Sequence, residues 1–280
     1  MQSTTTSATG IPNLDPGSSP WEQRLNTLLN AGVGAGADLV EVFLERTDHL
    51  GVLAEQDKIT SVTPAFGMGA GIRVFRGTRD GFVSTNDLSD AGLAEALDQA
   101  LAMLQLERST LSGSTAFQGL GALKNFAAQK NDWLDCTPDL SVITQRLLEG
   151  TQCLERLGQH LDVRRSTFSR DWQEVLVAAS DGTFARDIRL HQSSGLSVLA
   201  ADGDHRASIA RRYGSTDKPN DLCDWNIETS AQEVCGSAST MLRADYVDGG
   251  QMPVVLANRF GGVIFHEACG HLLETTQIER

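Results

Sequence analysis

His266, Glu267 and His271 lie in the run His266-Glu267-Ala268-Cys269-Gly270-His271, inside an otherwise apolar stretch from Gly261 to Leu273. Two neutral imidazoles hold a divalent ion such as Zn²⁺ without cancelling its charge, and a neighbouring carboxylate can take a proton from the water that such an ion activates. Metal-assisted hydrolysis needs that combination. The spacing, however, is unusual. In the familiar zinc-protease run the histidines are four apart, about 40° around a helix, whereas five residues leave the rings roughly 140° apart. They converge if the backbone opens into a single i→i+5 turn or if His271 lies just past a helix break, and Gly270 makes either distortion cheaper. The bland alternative is an apolar helix, Val263 to Leu273, that buries two hydrogen-bonded histidines. Against it stands Glu267, a charge that burial would leave in need of a partner.

Other reactive side chains carry weaker signals. His49, His160, His191 and His205 are scattered and read as surface or hydrogen-bonded residues. Arg206, Arg211 and Arg212 could grip a peptide carboxylate, but charges on a solvated strand edge explain them as well. Ser180-Asp181 and Ser208 have no nucleophile-elbow context. Gly32-Val33-Gly34-Ala35-Gly36 follows a helix instead of a strand, so it reads as a connection and not as a dinucleotide loop. Cys269 is read as a small buried side chain.

The elements that must position the motif follow from periodicity. Ser19-Pro20-Trp21-Glu22 looks like a capping box opening a helix to about Ala31. Short alternating runs then predict strands over Asp38 to Arg46, Gly51 to Gln56, Lys58 to Val62, Gly69 to Arg76 and Gly81 to Thr85. A helix from about Ser89 to Leu106 presents Leu93, Leu97, Leu101 and Leu104, and another opening at Thr137-Pro138 turns Leu140, Ile143, Leu147, Leu154 and Leu157 inward until Gly158. Between them, Ser109 to Asn131 reads as a long excursion. A second meander is expected over Asp162 to Phe168, Glu174 to Ala179, Thr183 to His191, Leu196 to Ala201 and His205 to Tyr213, with hairpin turns at Asp181-Gly182 and Asp202-Gly203. Ile227, Ala231, Val234, Cys235, Ala238, Met241 and Leu242 mark a last helix, leading to a boundary near Arg243 to Gly250.

The fold class expected is α+β: a disordered tail over 1–18, an N-terminal domain of antiparallel meanders covered by helices over 19–243, and a second segment over 244–280 that carries the motif. A net charge of −13 argues against nucleic acid and anionic membranes as partners. No stretch reaches the roughly 20 apolar residues of a membrane span. Five cysteines, odd in number and without a close pair, fit reduced thiols and a cytoplasmic location.

At the motif the chain resembles the TldD/PmbA family of metallopeptidases, and specifically its TldD-like, metal-bearing branch. The residues that carry the resemblance are the apolar run Met252-Pro253-Val254-Val255-Leu256-Ala257, then Gly261-Gly262, then His266 to His271 followed by Leu273-Glu274. It extends back through Ala37-Asp38-Leu39-Val40-Glu41-Val42 and Gly69-Ala70-Gly71-Ile72-Arg73-Val74, and covers most of the chain from about Trp21. The resemblance implies a short strand before the motif, His266 and His271 as metal ligands, Glu267 as general base and Zn²⁺ as cofactor. It also implies small or unfolded peptides as substrates and assembly with a PmbA-like subunit; a homo-oligomer is the other assembly considered. In the family the third metal ligand is a distant Cys, and no residue up to Arg280 matches it, so the resemblance implies the front portion of a longer enzyme, with 244–280 as the incomplete start of a second, mainly β catalytic domain. A non-catalytic partner-binding module and an inactive fragment are the competing expectations.

Overall fold

In a computed structural model of the protein, residues 14–15, 20–108, 117–126, 139–216, 225–257 and 260–274 are described. Two compact units divide the chain, Met1–Arg243 and Ala244–Arg280.

The first unit is built on one sheet. Helix α1 (Trp21–Gly34) leads into the hairpin β1 (Leu39–Glu55) and β2 (Lys58–Arg76), then β3 (Arg79–Thr85) and helix α2 (Asp90–Met103). After the two-residue β4 (Lys124–Asn125), the same order recurs: helix α3 (Leu140–Leu157), hairpin β5 (Leu161–Ala179) and β6 (Phe184–Asp202), β7 (His205–Ser215) and helix α4 (Ile227–Met241). The sheet runs β3-β2-β1-β5-β6-β4, with β7 also pairing β6. All neighbours are antiparallel except β4, which lies parallel to β6. The two meanders are therefore halves of one sheet, joined along β1 and β5 from Glu41 opposite Ala179 to Glu55 opposite Arg165.

The strands are longer than alternation predicts. Polar residues interrupt the apolar pattern near 47–50 in β1, 169–173 in β5 and 192–195 in β6, yet the pairing continues through all three. These gaps fall at one level of the sheet, where the polar side chains satisfy one another across strands. His49 pairs with Asp171 (Nδ1 to Oδ1 2.6 Å), the Arg170 guanidinium donates to Asp48 (2.8 Å), and the Ser169 and Ser193 hydroxyls are 2.7 Å apart. β2 tolerates Pro64 because β3 pairs only with Ala70 to Arg76, so no described strand asks for an N–H on that flank of β2.

Helices cover one face. Val40, Val42 and Leu44 of β1, with Ile72 and Val74 of β2, bury under Leu25 and Leu29 of α1 and Leu93, Leu97 and Leu101 of α2. Farther along the same face Val52 and Ala54 meet Ile143 and Leu147 of α3, while Leu196 and Val198 of β6 meet Leu154 of α3 and Ala231 and Val234 of α4. Each full burial of such a side chain contributes roughly 1.5–3 kcal/mol.

Several expectations are corrected at helix ends. Pro20 sits at the cap of α1 and not at its first helical position; the expected cap, Ser19, lies outside the described residues, and α1 continues past Ala31 to Gly34. α3 starts at Leu140 with the Asp139 carboxylate accepting from the Ser141 and Val142 N–H groups (2.9 and 3.4 Å); Thr137-Pro138 lies outside the described residues. Leu140, expected inward, is exposed, because it is the first residue of α3 and lies beyond the stripe that meets the sheet. The expected tail over 1–18 lies outside the described residues except at Leu14 and Asp15, and Leu14 is fully buried in the cluster under α1. The excursion over 109–131 is described only at 117–126, which includes β4.

In the second unit, residues 244–257 form neither helix nor strand. The strand expected at Met252 to Ala257 is absent, with Val254 and Val255 facing solvent; a strand needs a ladder partner, and none is present among the described residues. The unit's described regular structure is the motif segment.

Candidate metal centre

Local backbone geometry solves the angular problem posed by the five-residue spacing. A 3-10 turn at Phe260–Gly262 and a single α turn at Val263–Phe265 lead into a π-helical segment, His266–Gly270, and a second 3-10 turn, His271–Leu273. The His271 N–H donates to the His266 carbonyl, the i→i+5 bond that defines the wide turn. It brings the two rings face to edge, with centroids 4.8 Å apart and planes at 71°. Gly270 keeps ordinary right-handed helical angles, and a Cβ there would meet His266 Nδ1 at 3.5 Å, an ordinary contact. The turn therefore does not demand glycine at that position.

One donor atom from each of His266, Glu267 and His271 lies within 4.8 Å of the others. Donors sharing one zinc at about 2.0–2.2 Å cannot be more than roughly 4.4 Å apart, a little closer than the 4.8 Å that bounds this group. Two imidazoles and a carboxylate are the donor chemistry that a divalent cation of zinc's type takes, and the residues present fit it. The two His271 nitrogens face different carboxylates: Nε2 is 3.5 Å from Glu267 Oε2, and Nδ1 is 2.7 Å from Glu274 Oε1. All three motif side chains are exposed, as is Cys269, which is not among the convergent donors. Sequence reading missed the Glu274 contact, although a spacing of three from His271 on a helical turn is a signal for it.

The other candidates are engaged elsewhere. His49 sits in its pair with Asp171 on the sheet face opposite the helices. Arg206 donates to the Gly203 and His205 carbonyls, and Arg211 to the Ala210 carbonyl and the Ser237 hydroxyl. Those contacts satisfy backbone carbonyls of the β6–β7 hairpin and a side-chain hydroxyl of α4. Burial pushes the Cys153 and Cys235 thiols up from their ordinary pKa, which keeps them protonated and poor nucleophiles. A cavity of about 400 Å³ opens beside Arg24, Leu28, Asp90 and Arg108, and another of about 450 Å³ beside Phe43, Gly69 and Phe82; the motif residues line neither. No described helix is long and apolar enough to cross a membrane.

Residues 40–104 match the family model for PmbA/TldA metallopeptidase domain 1, and residues 138–242 match that for the PmbA/TldA metallopeptidase central domain. The motif lies beyond both matched spans. The metalloprotease TldD homolog of Haemophilus influenzae is 28% identical over 216 residues, 74% of this chain and 43% of that protein. The TldD homolog of Buchnera aphidicola from Acyrthosiphon pisum is 24% identical over 220 residues, again 74% and 43%. The chain thus matches less than half the length of these relatives. The crystal structure of TldE from Thermococcus kodakarensis shares the fold at a TM-score of 0.58 and 14% identity, covering 77% of this chain and 47% of that one. The two matched domains together span more than half of the chain, which belongs to the PmbA/TldD family.

Proposed function

We propose that the chain contributes to a TldD-like zinc metallopeptidase that hydrolyses peptide bonds in small or unfolded peptides, acting in the cytoplasm with a PmbA-like subunit. The observation that supports this reading is the i→i+5 turn that gathers the donors of His266, Glu267 and His271 within 4.8 Å. The family metallopeptidase models and the TldD names of relatives agree with it.

His266 and His271 supply two of the three protein ligands that catalytic zinc generally has. A bound divalent cation supplies Lewis acidity, making water nucleophilic at neutral pH. Glu267 Oε2, 3.5 Å from His271 Nε2, stands on the donor side of that ring and accepts the proton released as water attacks the peptide carbonyl. The same oxygen then returns the proton to the leaving amine. In the Glu267→Gln variant, an amide that cannot take this proton replaces the base while leaving both imidazoles in place. Peptide cleavage should fall by about 10²-fold or more, with metal content unchanged when measured by elemental analysis. Wild-type cleavage by Glu267→Gln would refute the role.

A further inference from the structure

His271 is held from both sides, and the two sides differ in kind. Its Nε2 faces Glu267 inside the donor group, while its Nδ1 makes a 2.7 Å contact with Glu274 Oε1. A carboxylate can only accept, so this contact requires a proton on Nδ1; in the neutral ring that leaves the Nε2 lone pair on the side where His266 and Glu267 converge. Glu274 is itself outside the convergent donors and has reached extended backbone at the end of the 3-10 turn. It is therefore placed to act on the ring from behind. Carboxylates that bind the far nitrogen of a ligating imidazole set its tautomer and orientation and raise its basicity.

We propose that Glu274 is a positioning residue that holds His271 as its Nδ1–H tautomer and aims Nε2 at the cation. The inference rests on the metal-site reading above. An ordinary surface ion pair three residues apart would add a few tenths of a kcal/mol to the turn and leave the tautomer alone; the two roles are thus separable by measurement.

Long-range ¹H–¹⁵N correlation spectra of the full chain report which His271 nitrogen carries the proton. The wild type should show Nδ1–H. Glu274→Ala should lose that preference, and Glu274→Gln, which keeps an acceptor oxygen, should restore it. Calorimetric titration with Zn²⁺ or Co²⁺ should give an affinity about 10- to 100-fold weaker for Glu274→Ala than for the wild type, against a complete loss for His271→Ala. An unchanged tautomer in Glu274→Ala overturns the proposal. So does a loss of affinity as complete as that of His271→Ala, which would make Glu274 a ligand. If the wild type binds neither ion, the metallopeptidase reading fails, while the tautomer measurement still decides the role of Glu274.

Discussion

Among single residues, Glu174 carries the largest expected stability effect. Its side chain, in β5, is fully buried and accepts from Arg186 Nε (3.0 Å) and Nη2 (2.5 Å), with Arg46 Nη1 3.7 Å away. Arg186 is almost as deeply buried. Removing one partner of a buried pair leaves the other charge without compensation, at a cost of about 3–5 kcal/mol. Glu174→Ala should therefore lower the urea midpoint sharply, while Glu174→Gln, which retains an acceptor for Arg186, should lose less. Equal midpoints for Glu174→Ala and wild type would show that the pair contributes nothing. The sequence offered no sign of this cluster, since an acid in an alternating run is ordinarily assigned to the solvent face; only the pairing of β1 with β5 and of β5 with β6 reveals that Arg46, Glu174 and Arg186 share the covered face.

At the scale of elements, caps and close contacts make separate predictions. The Ser141 hydroxyl and the Ser141 and Val142 N–H groups hold the Asp139 carboxylate below its ordinary pKa. A depressed folded-state pKa means that the unfolded chain binds more protons in the window between the two values, so the contribution is present above the unfolded value and lost as pH falls through the folded one. Thermal melts taken from pH 5 down to pH 3 should show a steeper loss for wild type than for Asp139→Asn; parallel curves would remove the cap from the acid response. In α1, Gly32 packs so closely on β1 that an added Cβ would sit 2.7 Å from Val40 Cγ2. Helix propensity favours alanine by about 1 kcal/mol, but the stiff valine cannot yield, and overpacking costs roughly 1–3 kcal/mol. Gly32→Ala should therefore lower the melting temperature slightly, and a higher one would show that Val40 gives way.

For the whole molecule, the division at Arg243 has a direct test. Residues 244–257 are exposed and lack regular structure, and exposed backbone of this kind is where proteases cut first. Brief trypsin treatment should cleave after Arg243 and leave a product ending there that resists further digestion within the sheet. Early cuts within β1, β5 or β6 would contradict a single cooperative sheet. That sheet places two copies of the order helix, hairpin, third strand, helix side by side, an arrangement for which no residue-level repeat gives notice.

Sequence by itself determined the features that depend on a few neighbouring residues. The apolar stripe of α2, the turn at Asp181-Gly182 with Gly182 at φ 94° and the turn at Gly203 with φ 56° are local in origin, and the wide turn between His266 and His271 was one of two geometries their spacing allowed. Tertiary structure alone decided which strands are continuous. Thr47 to Leu50 and Ser169 to Gln173 look like breaks when read singly, because their polar side chains interrupt the apolar alternation, and they become strand only when each supplies the other's hydrogen bonds. The reverse holds at Met252 to Ala257, whose apolar composition suits a strand but whose backbone has no ladder partner among the described residues. A β-strand is completed by its neighbours, so its extent is a property of the sheet, whereas a turn or a helical stripe is already contained in the residues that form it.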